Sequence, residues 1–96
     1  MRIVAKSTLQ DFWEVHPDAE GPLRAWIRVA SRETWRNFGD VRAVYSHADR
    51  VGKYTVINIG GRKFRLVIHI HFQTSIIFIH RMLTHKDDDD GGWKDE

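Results

Sequence analysis

One stretch of sequence decides the fold, residues 62–72, which read RKFRLVIHIHF. Large apolar residues alternate there with other, mostly basic residues, and a period of two is the pattern of a β-strand with one buried face. The residues predicted to point into the core are Phe64, Leu66, Ile68, Ile70 and Phe72. The residues predicted on the opposite face are Lys63, Arg65, Val67, His69 and His71. This strand is expected to lie inside a sheet.

Strands are also predicted on both sides of this stretch. Before it, residues 54–59 are rich in β-branched and aromatic residues, and Gly60-Gly61 is a hairpin signal. After it, a polar turn at residues 73–75 leads into Ile76–Leu83, which is apolar on both faces and therefore expected to be central. These signals predict an antiparallel meander of three strands.

The first half of the chain has helical periodicity. Residues 7–10, Ser-Thr-Leu-Gln, match a capping box, so a first helix is expected from Thr8 to about His16, before Pro17. A second helix is expected after Asp18 as its cap, with Pro22 in its first turn. Its apolar stripe comprises Leu23, Trp26, Ile27 and Ala30. A further short helix is allowed after Asp40.

This order of elements predicts an α+β fold, written β-α-α-(α)-β-β-β with a C-terminal tail. Helices pack on one face of a mainly antiparallel sheet, which the strand-like opening segment at residues 1–6 closes. A chain of 96 residues is expected to form a single domain over residues 1–96, with residues 86–96 as an acidic tail.

Composition narrows the function classes. The apolar runs are too short to span a bilayer, and no signal peptide opens the chain. With no cysteine there is no disulfide framework and no thiolate zinc site, so a cytoplasmic protein is expected. The tail has six acidic residues against two lysines, so residues 1–85 carry a net +6. Such a field attracts nucleic acid, although a basic surface that serves solubility alone is equally compatible with it.

The polar face of the predicted central strand is the first candidate site. Same-face neighbours lie roughly 6.6 to 7 Å apart, so that one phosphate can contact two of Lys63, Arg65, His69 and His71. Arg65 is the strongest candidate, because a semi-buried guanidinium needs an anionic partner. The alternative is an ordinary solvated face. His69 and His71 also have the spacing of two metal ligands, but no cysteine or acidic ligand accompanies them and no metal is predicted.

Two further groups are candidates outside this face. Thr84-His85-Lys86 follows the last strand, where a histidine can exchange protons near neutral pH. Four arginines recur at every fourth position of the second helix and form a stripe that is either solvated or contacts an anionic partner. They are Arg24, Arg28, Arg32 and Arg36.

Several short motifs together resemble the HigB-type toxins of the RelE superfamily. They are VINIGG at 56–61, FRLV at 64–67, Ile79, and Thr84-His85-Lys86, and the resemblance runs over the whole chain. The family implies a ribosome-associated mRNA endoribonuclease of a type II toxin–antitoxin module, with no metal and no cofactor. Cleavage proceeds by attack of the 2′-OH on the adjacent phosphate.

The resemblance also suggests site residues. Arg65 matches the family's phosphate-binding arginine, and His85 matches the histidine of its Thr-His motif. His80 stands where members usually carry arginine and is the third catalytic candidate. The residues expected to contact RNA are Arg62, Lys63, His69, His71, Arg81, Lys86 and Lys94. A partner surface is expected at the arginine stripe.

Departures from the family motifs predict reduced activity. Arg62 replaces a usual asparagine, His80 replaces an arginine, and Asp88 replaces a tyrosine, so a cation and a phenol are lost near the phosphate. Arg81 is expected to be no substitute, because neighbours on a strand point to opposite faces.

The expected partners are a HigA-like helix-turn-helix antitoxin, the ribosome and mRNA, with DNA reached only through the antitoxin and no membrane. Two alternatives to an active endoribonuclease remain. One is a weakened or inactive toxin that only binds antitoxin or ribosome. The other is a general RNA-binding module, against which we count an expected lack of exposed aromatic residues on the sheet.

Overall fold

A computed structural model describes residues 1–84 and 86. The elements are β1 (Arg2–Val4), α1 (Lys6–Val15), a 3₁₀ helix (Pro17–Ala19), α2 (Glu20–Arg32), α3 (Phe38–Val44), β2 (Asp49–Val51), β3 (Tyr54–Ile59), β4 (Phe64–His71) and β5 (Ile76–Thr84). This order confirms the α+β fold. It adds one short strand, β2, which had no strong periodic signal because it is only three residues long.

All strands form one sheet in the order β1-β5-β4-β3-β2. β1 runs parallel to β5, and every other neighbouring pair is antiparallel. The stretch around Arg65 is therefore the central strand, and the apolar run of β5 is internal as predicted. Between β3 and β4 the chain turns at Gly60 and Gly61, whose φ angles of 65° and 71° favour glycine.

The main core lies between the helices and one face of the sheet. Leu9, Leu23 and Trp26 from the helices are at most 1% exposed. The sheet contributes an alternating set of apolar side chains to the same cluster: Ile57, Ile59, Phe64, Leu66, Ile68, Ile70, Ile77, Ile79 and Met82. Among the residues described, no helix is long and apolar enough to cross a membrane.

The helix starts differ from the sequence-based expectations. α1 begins at Lys6 after Ala5, which has a left-handed backbone (φ 71°, ψ 39°), and no side chain caps it, so the Ser7 capping box is wrong. α2 begins at Glu20 and also lacks a side-chain cap. Asp18 does not cap it, because Pro17 starts a 3₁₀ turn that contains this residue.

The third helix begins earlier than expected. Asn37 is its cap, and its side-chain oxygen accepts a hydrogen bond of 3.0 Å from the backbone N–H of Asp40. Asp40 thus lies in the first turn of α3 and not before it, because Asn37, three residues earlier, already supplies the capping oxygen.

Candidate active site

We call the sheet face opposite the helices the outer face. On the three long strands, β3, β4 and β5, its residues follow from alternation and register: Tyr54, Val56, Asn58, Arg65, Val67, His69, His71, Ile76, Phe78, His80, Arg81 and Leu83. Val56, Val67 and Leu83 form a second apolar cluster here, each at most 7% exposed, with Val51 and Tyr54 packed against it. The face therefore combines a buried apolar floor with basic and aromatic side chains.

Arg65 lies on the outer face of β4, the central strand, one residue after the strand begins. It is half-buried, and its register partners are Asn58 on β3 and Leu83 on β5. The Nη1 group of Arg65 donates a hydrogen bond to Oδ1 of Asn58. Because an amide is neutral, this bond orients the guanidinium and leaves the pair its positive charge. The apolar side chains beside it lower the local dielectric and strengthen its attraction for a phosphate.

A β-bulge in β5 brings two more polar side chains to this face. Val67 pairs with Arg81 and the next residue, Ile68, pairs with Ile79, so His80 is the extra residue. Arg81 therefore lies on the outer face opposite Val67. His80 lies there too, with its ring stacked on Tyr54 at 4.4 Å and 16° between planes. The expectation that Arg81 points to the other face is wrong, because a bulge breaks the alternation on which it rested.

Two histidines of the outer face favour the neutral form. Burial, and after it the charges of Arg81 and Lys53, lower the pKa of His80 below 6.5. Burial, and after it His71 and Lys53, lower the pKa of His69. A neutral imidazole can accept a proton, which a protonated ring cannot.

Five aromatic rings line up along the outer face, and we call them the aromatic row: His80, Tyr54, His69, His71 and Phe78. Successive ring centroids lie 4.4, 6.4, 4.5 and 5.3 Å apart. His71 is exposed, and Phe78 is 38% exposed. The sequence-based expectation that the sheet lacks exposed aromatic residues is therefore wrong. The rings come from three strands, and only their pairing shows that they are neighbours.

Lys63 lies away from the outer face. It belongs to the turn between β3 and β4, and its Nζ donates to Asp18 of the 3₁₀ helix. This bond is the first cause of the lowered pKa of Asp18. Its prediction as a member of the row with Arg65 is wrong, because β4 begins only at Phe64.

Arg62 lies in the same turn and is exposed. It lines a cavity of about 360 Å³ together with Tyr45, His47 and Asn58 among others. Lys86 is exposed. His85, Asp88 and Lys94, which the sequence analysis also singled out, lie outside the described residues.

The predicted arginine stripe is shorter than expected. Arg24, Arg28 and Arg32 are exposed on α2, but Arg36 lies beyond the end of the helix, where its backbone N–H donates to Asp40. Arg24 also pairs with Glu20 at 2.7 Å and lies 4.9 Å from the ring of Trp13. The four-residue spacing of the arginines continues to Arg36, but α2 ends at Arg32, and spacing alone does not show where a helix ends.

Asn58 and Tyr54 are the members of the site to which the sequence analysis gave no role. The available signal for Asn58 was a polar residue inside an apolar strand, directly before the Gly-Gly turn. Within residues 1–84 and 86, no group of three or more His, Asp or Glu side chains is placed to hold a metal ion.

Helices on one face of a mixed five-stranded sheet, with an arginine-centred polar site on the other, define a small RelE-like α+β protein. The profile of the HigB toxin family, the RelE-like toxic component of a toxin–antitoxin system, matches residues 19–91. The chain belongs to this family. Its resemblance to HigB-type toxins is thereby confirmed, and an antitoxin partner is implied.

Relatives with assigned activity are similar over most of their length. The mRNA interferase toxin HigB of Escherichia coli (strain K12) is 25% identical over 92 residues, which cover 93% of this chain and 88% of the relative. The mRNA interferases HigB of Escherichia coli O157:H7 and Shigella flexneri match with the same identity and coverage.

Proposed function

We propose that this protein is a ribosome-associated mRNA endoribonuclease and acts as the toxin of a type II toxin–antitoxin module. One observation carries the proposal: Arg65, held by Asn58 over an apolar floor, shares the outer face with Arg81 and His80, which the bulge brings there. Two cations and a neutral imidazole on one surface suit phosphoryl transfer. The names of the relatives, all mRNA interferases, support RNA as the substrate.

The reaction we propose needs no cofactor. The 2′ oxygen of one nucleotide attacks the adjacent phosphorus while the bond from phosphorus to the 5′ oxygen breaks, which leaves a cyclic phosphate and a 5′-OH. Arg65 and Arg81 stabilise the charge that builds up on the phosphate oxygens. His80, which its lowered pKa keeps neutral on the same face as Arg65, accepts the 2′-OH proton. We assign to His85 the return of a proton to the leaving oxygen, on its match to the family motif alone.

Arg81 changes the expectation of reduced activity. The sequence-based argument counted a cation as lost when His80 replaced the usual arginine. With the bulge, the next residue supplies a permanent cation on the same face, and His80 is left to act as a base. We therefore propose an active enzyme over a toxin that only binds.

The decisive experiment measures cleavage of a defined mRNA by the purified protein, with and without ribosomes. Arg65→Ala is expected to lower the ribosome-dependent rate by about 10²- to 10³-fold, the usual loss for a group that stabilises a developing oxyanion. The matched control is Arg42→Ala, an exposed arginine of α3 on the helical side of the molecule. No cleavage by the unaltered protein, or equal rates for Arg65→Ala, would overturn the proposal.

The antitoxin that we propose is a HigA-like helix-turn-helix protein, through which the complex reaches DNA. The exposed arginines of α2 lie on an element that contributes nothing to the outer face. Antitoxin can thus bind there while the outer face contacts RNA.

A further inference from the structure

The aromatic row extends well beyond the residues that the proposed chemistry uses. It runs from His80, beside Arg81, to His71, the last residue of β4 before the turn to β5. Phe78 contacts His71 and pairs with His69 in register. Arg65 and His71 are six residues apart on one strand, which corresponds to about 20 Å. A phosphate and its two riboses do not fill this length, so the row offers contact area for further nucleotides.

The rings hold one another in fixed orientations. Tyr54 meets His69 at 77°, His69 meets His71 at 62°, and His71 meets Phe78 at 71°, all edge-to-face contacts. Rings fixed in this way lose little conformational freedom when a ligand covers them. The two most exposed members are His71, which lies farthest from Arg65 along β4, and Phe78, which lies on β5 opposite His69.

The charges around the row favour a polyanion. Lys53 lies 5.4 Å from the Tyr54 ring, and Arg2 pairs with Ile76 in register and so faces the same side. With Arg65 and Arg81 they make four cations on or beside the outer face. In the described strands the only acidic side chain on that face is Asp49, which pairs with Val56. A polyanion matches the sign of this charge, which a purely apolar protein segment does not.

Aromatic side chains among cations are the usual recognition surface for single-stranded nucleic acid. Bases stack on the rings while the phosphates contact the cations, and duplex RNA cannot present its base faces in this way. We propose that the aromatic row is a base-stacking platform for single-stranded RNA, which holds nucleotides flanking the cleaved bond. The proposal rests on the proposed function, since it assigns the same face to the same substrate.

The test is a double-mutant cycle, in which rings are removed from the protein and bases are removed from the RNA, separately and together. The double variant His71→Val with Phe78→Val removes two rings and keeps the β-branched shape that strands favour. The matched control, His71→Phe with Phe78→Tyr, keeps both rings. The ligands are single-stranded, 2′-O-methylated eight-nucleotide RNAs, which cannot be cleaved, with one abasic position moved along the sequence. Binding is measured by fluorescence anisotropy, and thermal unfolding verifies that both variants fold.

We expect an abasic site at one or two positions to weaken binding to the unaltered protein by about fivefold or more, the effect of losing one stacked base. The same abasic site has little further effect in the double Val variant, because the ring partner is already absent. The ring-keeping variant behaves like the unaltered protein.

The platform is overturned if abasic sites weaken both proteins equally, or if they have no effect at any position. It is also overturned if the Val variant loses antitoxin binding but keeps RNA binding, since the face is then a protein interface. Cleavage of mRNA, measured in parallel, separates the two proposals. If the protein cleaves mRNA but the ring and base removals show no coupling, only the stacking proposal fails. If the removals are coupled but no mRNA is cleaved, only the endoribonuclease proposal fails.

Discussion

At the scale of single residues, the site depends on which side chains the strands place opposite each other. Asn58 and Arg65 are direct neighbours across β3 and β4, and Arg81 reaches the same face two residue pairs along the ladder, opposite Val67. A permanent cation at both places can contact one phosphate from two directions. We therefore propose that the two arginines act together on one phosphate.

The first prediction concerns Arg81. Arg81→Ala is expected to lower the rate of mRNA cleavage by about 10²-fold, a loss similar to that in Arg65→Ala. Each substitution removes a cation that stabilises the charge developing on the phosphate. Arg81→Lys should recover part of the rate. The comparison of the two alanine variants in one cleavage assay checks this, and a rate unchanged in Arg81→Ala would show that its charge does not reach the phosphate.

The second prediction concerns the contact of Lys63 with Asp18. In Lys63→Ala the pKa of Asp18 should rise toward its ordinary value of 3.8, because the hydrogen bond from Lys63, the largest cause of its lowering, is lost. A carboxyl whose folded pKa is lowered contributes stability above pH 3.8, and the contribution is lost as the pH falls through the folded pKa. Carboxyl chemical shifts of Asp18 followed by NMR between pH 2 and 6 measure the change. An identical titration in both proteins would contradict the contact.

At the scale of elements, α2 and the hairpin between β3 and β4 have separate roles. α2 buries Leu23, Trp26 and Ala30 and exposes three arginines on its remaining surface. The hairpin sets the register that brings Asn58 opposite Arg65, through a four-residue connection between Ile59 and Phe64. In our proposal α2 contacts the antitoxin, while the hairpin positions the residues that contact RNA.

The third prediction concerns the arginines of α2. Arg28→Glu with Arg32→Glu should weaken binding of the antitoxin by at least tenfold if an acidic segment contacts this stripe, since like charges then face each other. RNA cleavage without antitoxin should stay unchanged. Titration calorimetry with the antitoxin measures the effect. An unaltered affinity would show that the arginines of α2 form an ordinary solvated surface.

The fourth prediction concerns the turn that sets the register. Gly61 has a φ of 71°, and no atom lies within 4 Å of the position that a Cβ would take. Gly61→Ala should therefore lower the free energy of unfolding by about 1 kcal/mol through backbone strain alone, and Gly61→Asn by less, because asparagine tolerates this conformation. Urea denaturation of the three proteins measures both values. Equal stability would mean that the turn relaxes at no cost.

At the scale of the whole molecule, the net positive charge favours an anionic ligand. Residues 1–85 carry a net +6, and four cations, Arg2, Lys53, Arg65 and Arg81, lie on or beside the outer face. A field of this sign attracts RNA from a distance before any specific contact forms.

The fifth prediction follows from this field. The affinity for single-stranded RNA should fall steeply as salt rises, with a log–log slope near −0.7 for each phosphate neutralised. Lys53→Gln should lower the magnitude of that slope by up to about 0.7, the contribution of one phosphate. The double Val variant of the aromatic row should lower the affinity without changing the slope. A salt-independent affinity would show that binding does not involve phosphates.

The sequence by itself determined the α+β fold and the central strand, whereas the role of Arg65 stays a prediction. Periods of two and of about four follow from local backbone geometry, so they are visible without any knowledge of the neighbours. Motif spacing likewise pointed to the correct family. Caps and helix ends were predicted less well, because Pro17 and the left-handed Ala5 alter the local chain path in ways that propensity does not report.

Only the tertiary structure decided which side chains share a surface with Arg65. The bulge at His80 exists because β5 has one residue more than β4 over the same length, and this depends on strand pairing. Pairing also gathered the aromatic row from three strands and moved Lys63 to Asp18 on the helical side. These features arise from contacts between residues distant in sequence, and no local pattern contains them.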